Sequence, residues 1–132
     1  MGEGDRAFTV AGVHYARPLP PGRQQLQMAR LESDLRDFNR ASLVVAGDMN
    51  STPWSYTLRR QDAALGLERR TRALFTWPAA PFTRFSLPAP FPFLAIDHVY
   101  AGADWTTVNV TRGPAVGSDH YPVVVELARP AR

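Results

Sequence analysis

The chain has 132 residues, enough for one domain with a modest core. Its 45% hydrophobic and 20% charged residues describe an ordinary globular protein and exclude a disordered chain. The net charge is +3, carried entirely by arginine, and the lack of cysteine excludes disulfides, thiol nucleophiles and cysteine-bound metals. An arginine-only basic surplus permits an anionic partner but defines no site, since net charge governs solubility and steering.

"AFTVAGVHY" alternates small and β-branched residues and predicts a strand from Phe8 to Tyr15. The opening "MGEGDRAFTV" carries no signal-peptide h-region, and Met1-Gly2 reads as a start joined to an internal segment. "ARPLPPGR" is a proline loop that cannot extend a sheet. Met28, Leu31, Leu35 and Phe38 then recur at helical spacing, which predicts an amphipathic helix from Gln24 to Asn39. "SLVVAGD" reads as a short strand buried on both faces, completing a strand–helix–strand unit. Ser51 or Thr52 as N-cap, with Pro53 in the first turn, predicts a second helix. The segment 74–93 is rich in proline and phenylalanine and reads as a long packed loop or irregular hairpin. "FLAIDHVYAG", "WTTVNVT" and "YPVVVELA" are three further strands, with the glycine-bearing loop "RGPAVGSDH" before the last. No apolar run is long enough to span a bilayer, and no linker divides the chain, so 1–132 reads as a single domain.

Polar residues gather at the strand ends: His14, Asp48 and Asn50, Asp97 and His98, Asp119 and His120. Strand ends and the loops beyond them are where sheet proteins build sites. Asp48 and Asn50 are two apart, so an extended chain would point both side chains the same way. Asp97 and His98 are adjacent on a strand and face opposite sides. Singly, each has an ordinary explanation: an Asp before a turn usually forms an Asx-turn or a cap. Their number and order give the set its weight.

Taken in order, "VAGVHYARP", "VVAGDMNSTP", "AIDHVYAG" and "GSDHYPVVVEL" resemble the C-terminal half of the endonuclease/exonuclease/phosphatase (DNase I-like) family. The resemblance runs from about Phe8 to Leu127. It implies an α/β (α+β) four-layer sandwich, present here as a partial sandwich with mixed, largely antiparallel sheet and two main helices. It also implies hydrolysis of a phosphate ester with Mg²⁺ or Mn²⁺, metals that favour oxygen ligands. By the same resemblance, Asp48 orients or deprotonates the attacking water and Asn50 holds the phosphate or that nucleophile. Asp97 orients His120, which contacts the phosphate or acts as acid and base; His14 also faces the phosphate. Asp119 is implied as a metal-site carboxylate, with Asp48 as a further metal contact. His98 is turned away by strand alternation and is left out of the site.

The family domain is longer than this chain, and its first half carries an asparagine and a glutamate that binds the metal. Nothing before Phe8 matches them, so the expected partners are that complementary half, or a second copy of this chain, and a phosphate-ester substrate. The isolated chain is accordingly expected to be inactive or nearly so. Phe75, Trp77, Phe82, Phe85, Phe91 and Phe93, with Arg72 and Arg84, suit either a nucleic acid or a phospholipid or lipid pyrophosphate. They equally suit simple packing of a proline-stiffened loop. "TWP" and "IDHVYAG" also resemble bacterial members whose catalytic domain follows transmembrane helices and lies outside the cytoplasm. The rival reading is a non-catalytic binding module that keeps the sandwich without the chemistry; five matched polar residues together favour the enzyme.

Overall fold

A computed structural model describes residues 7–20, 22–79 and 91–130. The first strand, β1 (Thr9–His14), leads through the proline loop into α1 (Arg23–Asp34). A 3₁₀ turn at Arg40–Ser42 then feeds β2 (Leu43–Asp48), which lies parallel to β1. This is the strand–helix–strand crossover that the apolar spacing predicted. α2 (Tyr56–Leu65), the two-residue β3 (Glu68–Arg69), β4 (Asp97–Ala101), β5 (Thr106–Arg112) and β6 (Val123–Ala128) complete the order.

The strands form two sheets. One has the order β1-β2-β4-β3, with β4 antiparallel to both neighbours; the other is the antiparallel ribbon β5-β6. Two helices and a mixed, largely antiparallel sheet make the α+β partial sandwich expected. Along β2, Leu43 and Val45 point toward the helices, and there they join Tyr15, Met28, Leu35, Leu58, Leu65 and Tyr100 in the main core. Leu43 to Val45 are all buried, whereas Ala46 to Asp48 are half-buried, so the strand is sealed at its start and open toward its end. Arg70 ties the ribbon and the turn before it to the larger sheet. The Arg70 guanidinium donates to the carbonyls of Gly102 (3.1 Å) and Trp105 (3.0 Å) and to Thr107 Oγ1 (3.3 Å).

Three local expectations need correction. α1 ends at Asp34 rather than Asn39. Beyond it the backbone tightens into i→i+3 bonds (Arg36 to Ser33, Phe38 to Leu35), and the Asn39 side chain caps the 3₁₀ turn through Ala41 N–H. Leu35 stays buried while Phe38 leaves the apolar stripe for solvent. The cap of α2 is neither Ser51 nor Thr52 but Ser55, whose Oγ accepts from Leu58 N–H at 3.1 Å. Pro53 instead sits inside a turn closed by Ser55 N–H on the Thr52 carbonyl. β3 was not anticipated, because two residues carry no readable period. Of the loop 74–93, residues 80–90, including Phe82, Phe85 and Arg84, lie outside the described residues.

Gly47 is where the sheet tolerates no side chain. Its φ is 153°, and a Cβ there would meet the Val13 carbonyl oxygen at 1.8 Å. The neighbouring strand's backbone cannot yield without breaking the β1–β2 ladder. Gly47→Ala is therefore expected to cost about 3 kcal/mol, through backbone overlap rather than lost packing. Chemical denaturation of the variant against the parent chain measures this directly.

Candidate active site

The register of the larger sheet assembles the site. His14 on β1 lies opposite Asp48 on β2, and Asp48 lies opposite Asp97 on β4. Residues directly opposite in a sheet point to the same face. Three titratable side chains thus emerge in a row from adjacent strands, on the face away from the helical core. His120 reaches them from the loop between β5 and β6. Its Nδ1 lies 2.8 Å from Asp97 Oδ2, and its Nε2 lies 3.8 Å from Asp48 Oδ2. His14 Nε2 approaches the same Asp48 oxygen at 3.6 Å, with its ring largely exposed.

Asn50 is placed by a turn and not by extension. It is the one non-glycine residue with positive φ among those described (46°). Asp48 Oδ1 accepts from Asn50 N–H at 2.8 Å, which is an Asx-turn. Asn50 Nδ2 donates to Asp48 Oδ2 (3.2 Å) and to the Tyr15 carbonyl (2.8 Å). The two side chains are adjacent as expected, but the backbone reason differs: the chain leaves the sheet at Asp48 and folds back.

His98 lies on the opposite face, where alternation puts it, and is buried in the core. Its Nε2 faces the Ser51 carbonyl at 2.8 Å and so carries the proton, leaving Nδ1 to accept from Thr71 Oγ1 at 3.3 Å. Asp119 is adjacent to His120 in sequence but turns elsewhere. Its Oδ2 accepts from the Trp77 indole at 3.4 Å, and its backbone carbonyl accepts from Ala79 N–H at 2.8 Å.

Two residues supporting the site escaped the sequence reading. Thr76 is buried, and its hydroxyl donates to the Asp97 oxygen that also holds His120. The Thr76 carbonyl accepts from Tyr121 N–H at 2.8 Å, so one residue fixes both the carboxylate and the loop bearing the imidazole. Its signal was a small polar residue between two aromatics in "FTWP". Gln24 is buried on α1, and its Nε2 lies 2.7 Å from the Ala16 carbonyl, 3.2 Å from that of Met49 and 3.3 Å from that of Asn50. It ties the helix to the turns following both β1 and β2. Gln24 falls on the same helical stripe as Met28, Leu31 and Leu35, a pattern that marks it as an inward-facing polar residue.

Burial, reinforced by the neighbouring Asp97 charge, raises the Asp48 carboxyl above its usual range; the Asn50 N–H and the two histidines oppose this. The hydrogen bond to Asp97 raises His120 above the usual imidazole range, against the opposing effect of burial. Burial lowers His98. Asp48, Asp97 and His120 each offer one ligand atom, and these atoms lie within 4.8 Å of one another. The donor chemistry fits a hard divalent cation at the Asp48 carboxylate, because a cation relieves the repulsion between two close carboxylates. His120 has Nδ1 committed to Asp97, an arrangement suited to proton transfer through Nε2.

The fold and site define an α+β protein that presents a carboxylate–imidazole cluster at the carboxyl ends of paired parallel strands. The chain belongs to the Endonuclease/Exonuclease/phosphatase family, whose profile matches residues 2–120. Solved structures share the fold. One is a functionally unknown conserved protein from Enterococcus faecalis V583, with a TM-score of 0.70 and 18% identity, covering 93% of this chain and 50% of that one. Another is a mannosyl-6-phosphatase from Bacteroides thetaiotaomicron VPI-5482, with a TM-score of 0.55 and 18% identity, covering 92% of this chain and 51% of that one. The chain thus spans about half the length of these neighbours. Among curated protein sequences there is no match.

The opposite shifts of the two histidines set a pH order. His120 favours its cation, so the stability it contributes is complete below the usual imidazole pKa of 6.5 and is lost as pH rises through its raised folded value. His98 favours its neutral form, so its contribution is present above 6.5 and is lost as pH falls through its lowered value. Imidazole ¹⁵N NMR at pH 6.5 should find His120 mainly cationic and His98 mainly neutral with the proton on Nε2. The reverse order would contradict this geometry.

Proposed function

We propose that this chain is the C-terminal portion of a metal-dependent phosphoesterase domain that hydrolyses a phosphate ester. The observation that carries the reading is the His120 imidazole, held by Asp97 at Nδ1 and facing Asp48 with Nε2. Membership of the family supports it.

Phosphate-ester hydrolysis needs an oriented water, neutralisation of oxyanion charge and a proton for the leaving oxygen. Asp48 orients the attacking water and takes its proton; its raised pKa suits a base better than an ordinary surface carboxylate. Asn50 fixes the Asp48 carboxylate and offers its amide to the phosphate or nucleophile. Asp97 favours the His120 cation, whose Nε2–H serves a phosphate oxygen or the leaving group. At 3.8 Å from Asp48 that N–H is too far for a hydrogen bond and so stays available. His14, exposed at the same strand end, adds a second imidazole toward the phosphate. Asp48 is the carboxylate of this cluster assigned to the metal; Asp119, which the family resemblance also implies, is turned to the Trp77 indole here. Mg²⁺ or Mn²⁺ bound at Asp48 would neutralise charge on the phosphate oxygens.

The remaining ligands, a glutamate above all, are assigned to the complementary half of the domain. The twofold greater length of the structural neighbours supports that assignment. Hydrolysis of bis-p-nitrophenyl phosphate by the complete domain, in Mg²⁺ and after EDTA treatment, tests the reading. Asp48→Ala and His120→Ala are each expected to lower kcat/KM by about 10³-fold. EDTA should abolish activity and Mg²⁺ restore it, while this chain alone should show little turnover. Full activity in Asp48→Ala, or activity indifferent to EDTA, would sink the proposal.

A further inference from the structure

The exposed large apolar side chains are unevenly distributed. Leu19 (78% exposed) lies on the loop after β1, and Leu26 (74%) lies in the first turn of α1. Trp54 (56%) and Tyr56 (66%) stand at the head of α2. Phe75 precedes Thr76, and Phe93 is joined to the Trp77 carbonyl through its N–H at 2.9 Å. All six belong to segments at the end of the sheet where His14, Asp48 and Asp97 emerge. Val10, Phe38, Val108 and Val124, by contrast, lie singly on the strands or at the far end. Scattered exposed apolar residues are normal, but a ring of them around one end is not.

The rim is linked and partly ordered. The rings of Trp54 and Phe75 lie 6.4 Å apart, joining the α2 loop to the Thr76 segment. Trp77 and Phe93 meet edge to face at 5.8 Å. The Arg60 guanidinium lies over the Tyr56 ring at 5.8 Å. Arg17, Arg23, Arg59 and Arg60 are exposed on the same loops and helix heads. Among the described residues of these segments no acid is exposed; Asp119, exposed on the neighbouring β5–β6 loop, is turned to the Trp77 indole. Half-buried Glu32 shares a groove with Tyr56 and Arg60, while Asp34, at the far end of α1, and Glu68, just past that of α2, pair with Arg30 (3.8 Å) and Arg70 (3.0 Å). Leucine and aromatic side chains interspersed with arginine are the composition that settles at a bilayer interface, where rings lie at headgroup depth and guanidinium groups meet lipid phosphates.

We propose that this rim is a membrane-docking face that rests on a bilayer containing anionic lipid, so that the carboxylate–imidazole cluster opens toward the headgroups. The proposal concerns binding and stands without the hydrolytic reading. Its tests need no turnover, so failure of one leaves the other intact.

The three tryptophans provide the test. Trp54 belongs to the rim, whereas Trp105 lies at the far end, packed edge to face with Phe8 at 5.2 Å. A chain carrying Trp77→Phe and Trp105→Phe reports Trp54 alone. A chain carrying Trp54→Phe and Trp77→Phe reports Trp105 alone. Both are mixed with phosphatidylcholine vesicles, with and without phosphatidylglycerol, whose acyl chains are brominated. Vesicles containing phosphatidylglycerol should sediment the chain and quench Trp54, leaving Trp105 unquenched. Leu26→Ser with Tyr56→Ser alters only exposed side chains and should weaken vesicle binding by about tenfold. Arg59→Gln and Arg60→Gln should each weaken it by about fivefold on anionic vesicles alone. No sedimentation, equal quenching of the two tryptophans, or binding unaffected by the Leu26 and Tyr56 changes would overturn the proposal. Equal binding to neutral and anionic vesicles would overturn the assignment of anionic lipid.

Discussion

The site depends on the register of β2 between its two neighbours. Parallel pairing with β1 sets His14 beside Asp48, and antiparallel pairing with β4 sets Asp97 on the other side. A slip of one residue in either ladder would turn every side chain of that strand to the opposite face, separating the acids and burying one of them in the core. Two features resist such a slip. Leu43 and Val45 are buried on the helical side and cannot exchange places with their neighbours without exposing the core. Gly47 faces the Val13 backbone so closely that no other residue type can take its position in this register. The hydrophobic pattern and one glycine therefore determine where a carboxylate emerges.

Around this row, a second set of polar groups converts strand ends into a defined constellation. Thr76 and Asp97 hold His120, Asp48 and the Tyr15 carbonyl hold Asn50, and Gln24 gathers the carbonyls that follow β1 and β2. Buried amide and hydroxyl groups are costly unless satisfied, so each bond also constrains the backbone it touches. His98 and Ser51 extend the same logic to the far side of the sheet, where the imidazole secures the turn leading into α2. The two histidines on successive faces of the sheet thus serve different ends. Burial favours the neutral form of one, which holds a turn, and a carboxylate favours the cation of the other, on the open face of the sheet.

Most of the architecture was legible in the sequence because its signals are local. β-branched runs marked the strands, the Met28–Leu31–Leu35 stripe marked α1, and alternation alone separated Asp97 from His98. The misplaced boundaries arose where residues had competing uses. Ser51 is a good cap by type, but its hydroxyl bonds Gln24 and its carbonyl bonds His98, leaving Ser55 to start α2. Thr76 was illegible as a site residue because its role comes from a long-range contact with Asp97, and no spacing rule reaches across that loop. The adjacency of Asn50 to Asp48 was readable, but the left-handed turn that produces it was not.

The two faces of the larger sheet are not equally finished. On the helical face Leu43, Val45, Met49, Leu58, Leu65 and Tyr100 are all but completely buried, so folding has a closed core to rest on. On the other face Ala46, Asp48 and Val99 are only half-buried, and the β5–β6 ribbon contributes no fully buried side chain. A site on the sealed face would require opening the core to admit a ligand. The carboxylate–imidazole row instead lies on the open face, anchored from behind by packed strands and held laterally by hydrogen bonds. Rigidity comes from one side of the sheet and access from the other, and β2 connects the two because its alternate residues belong to each.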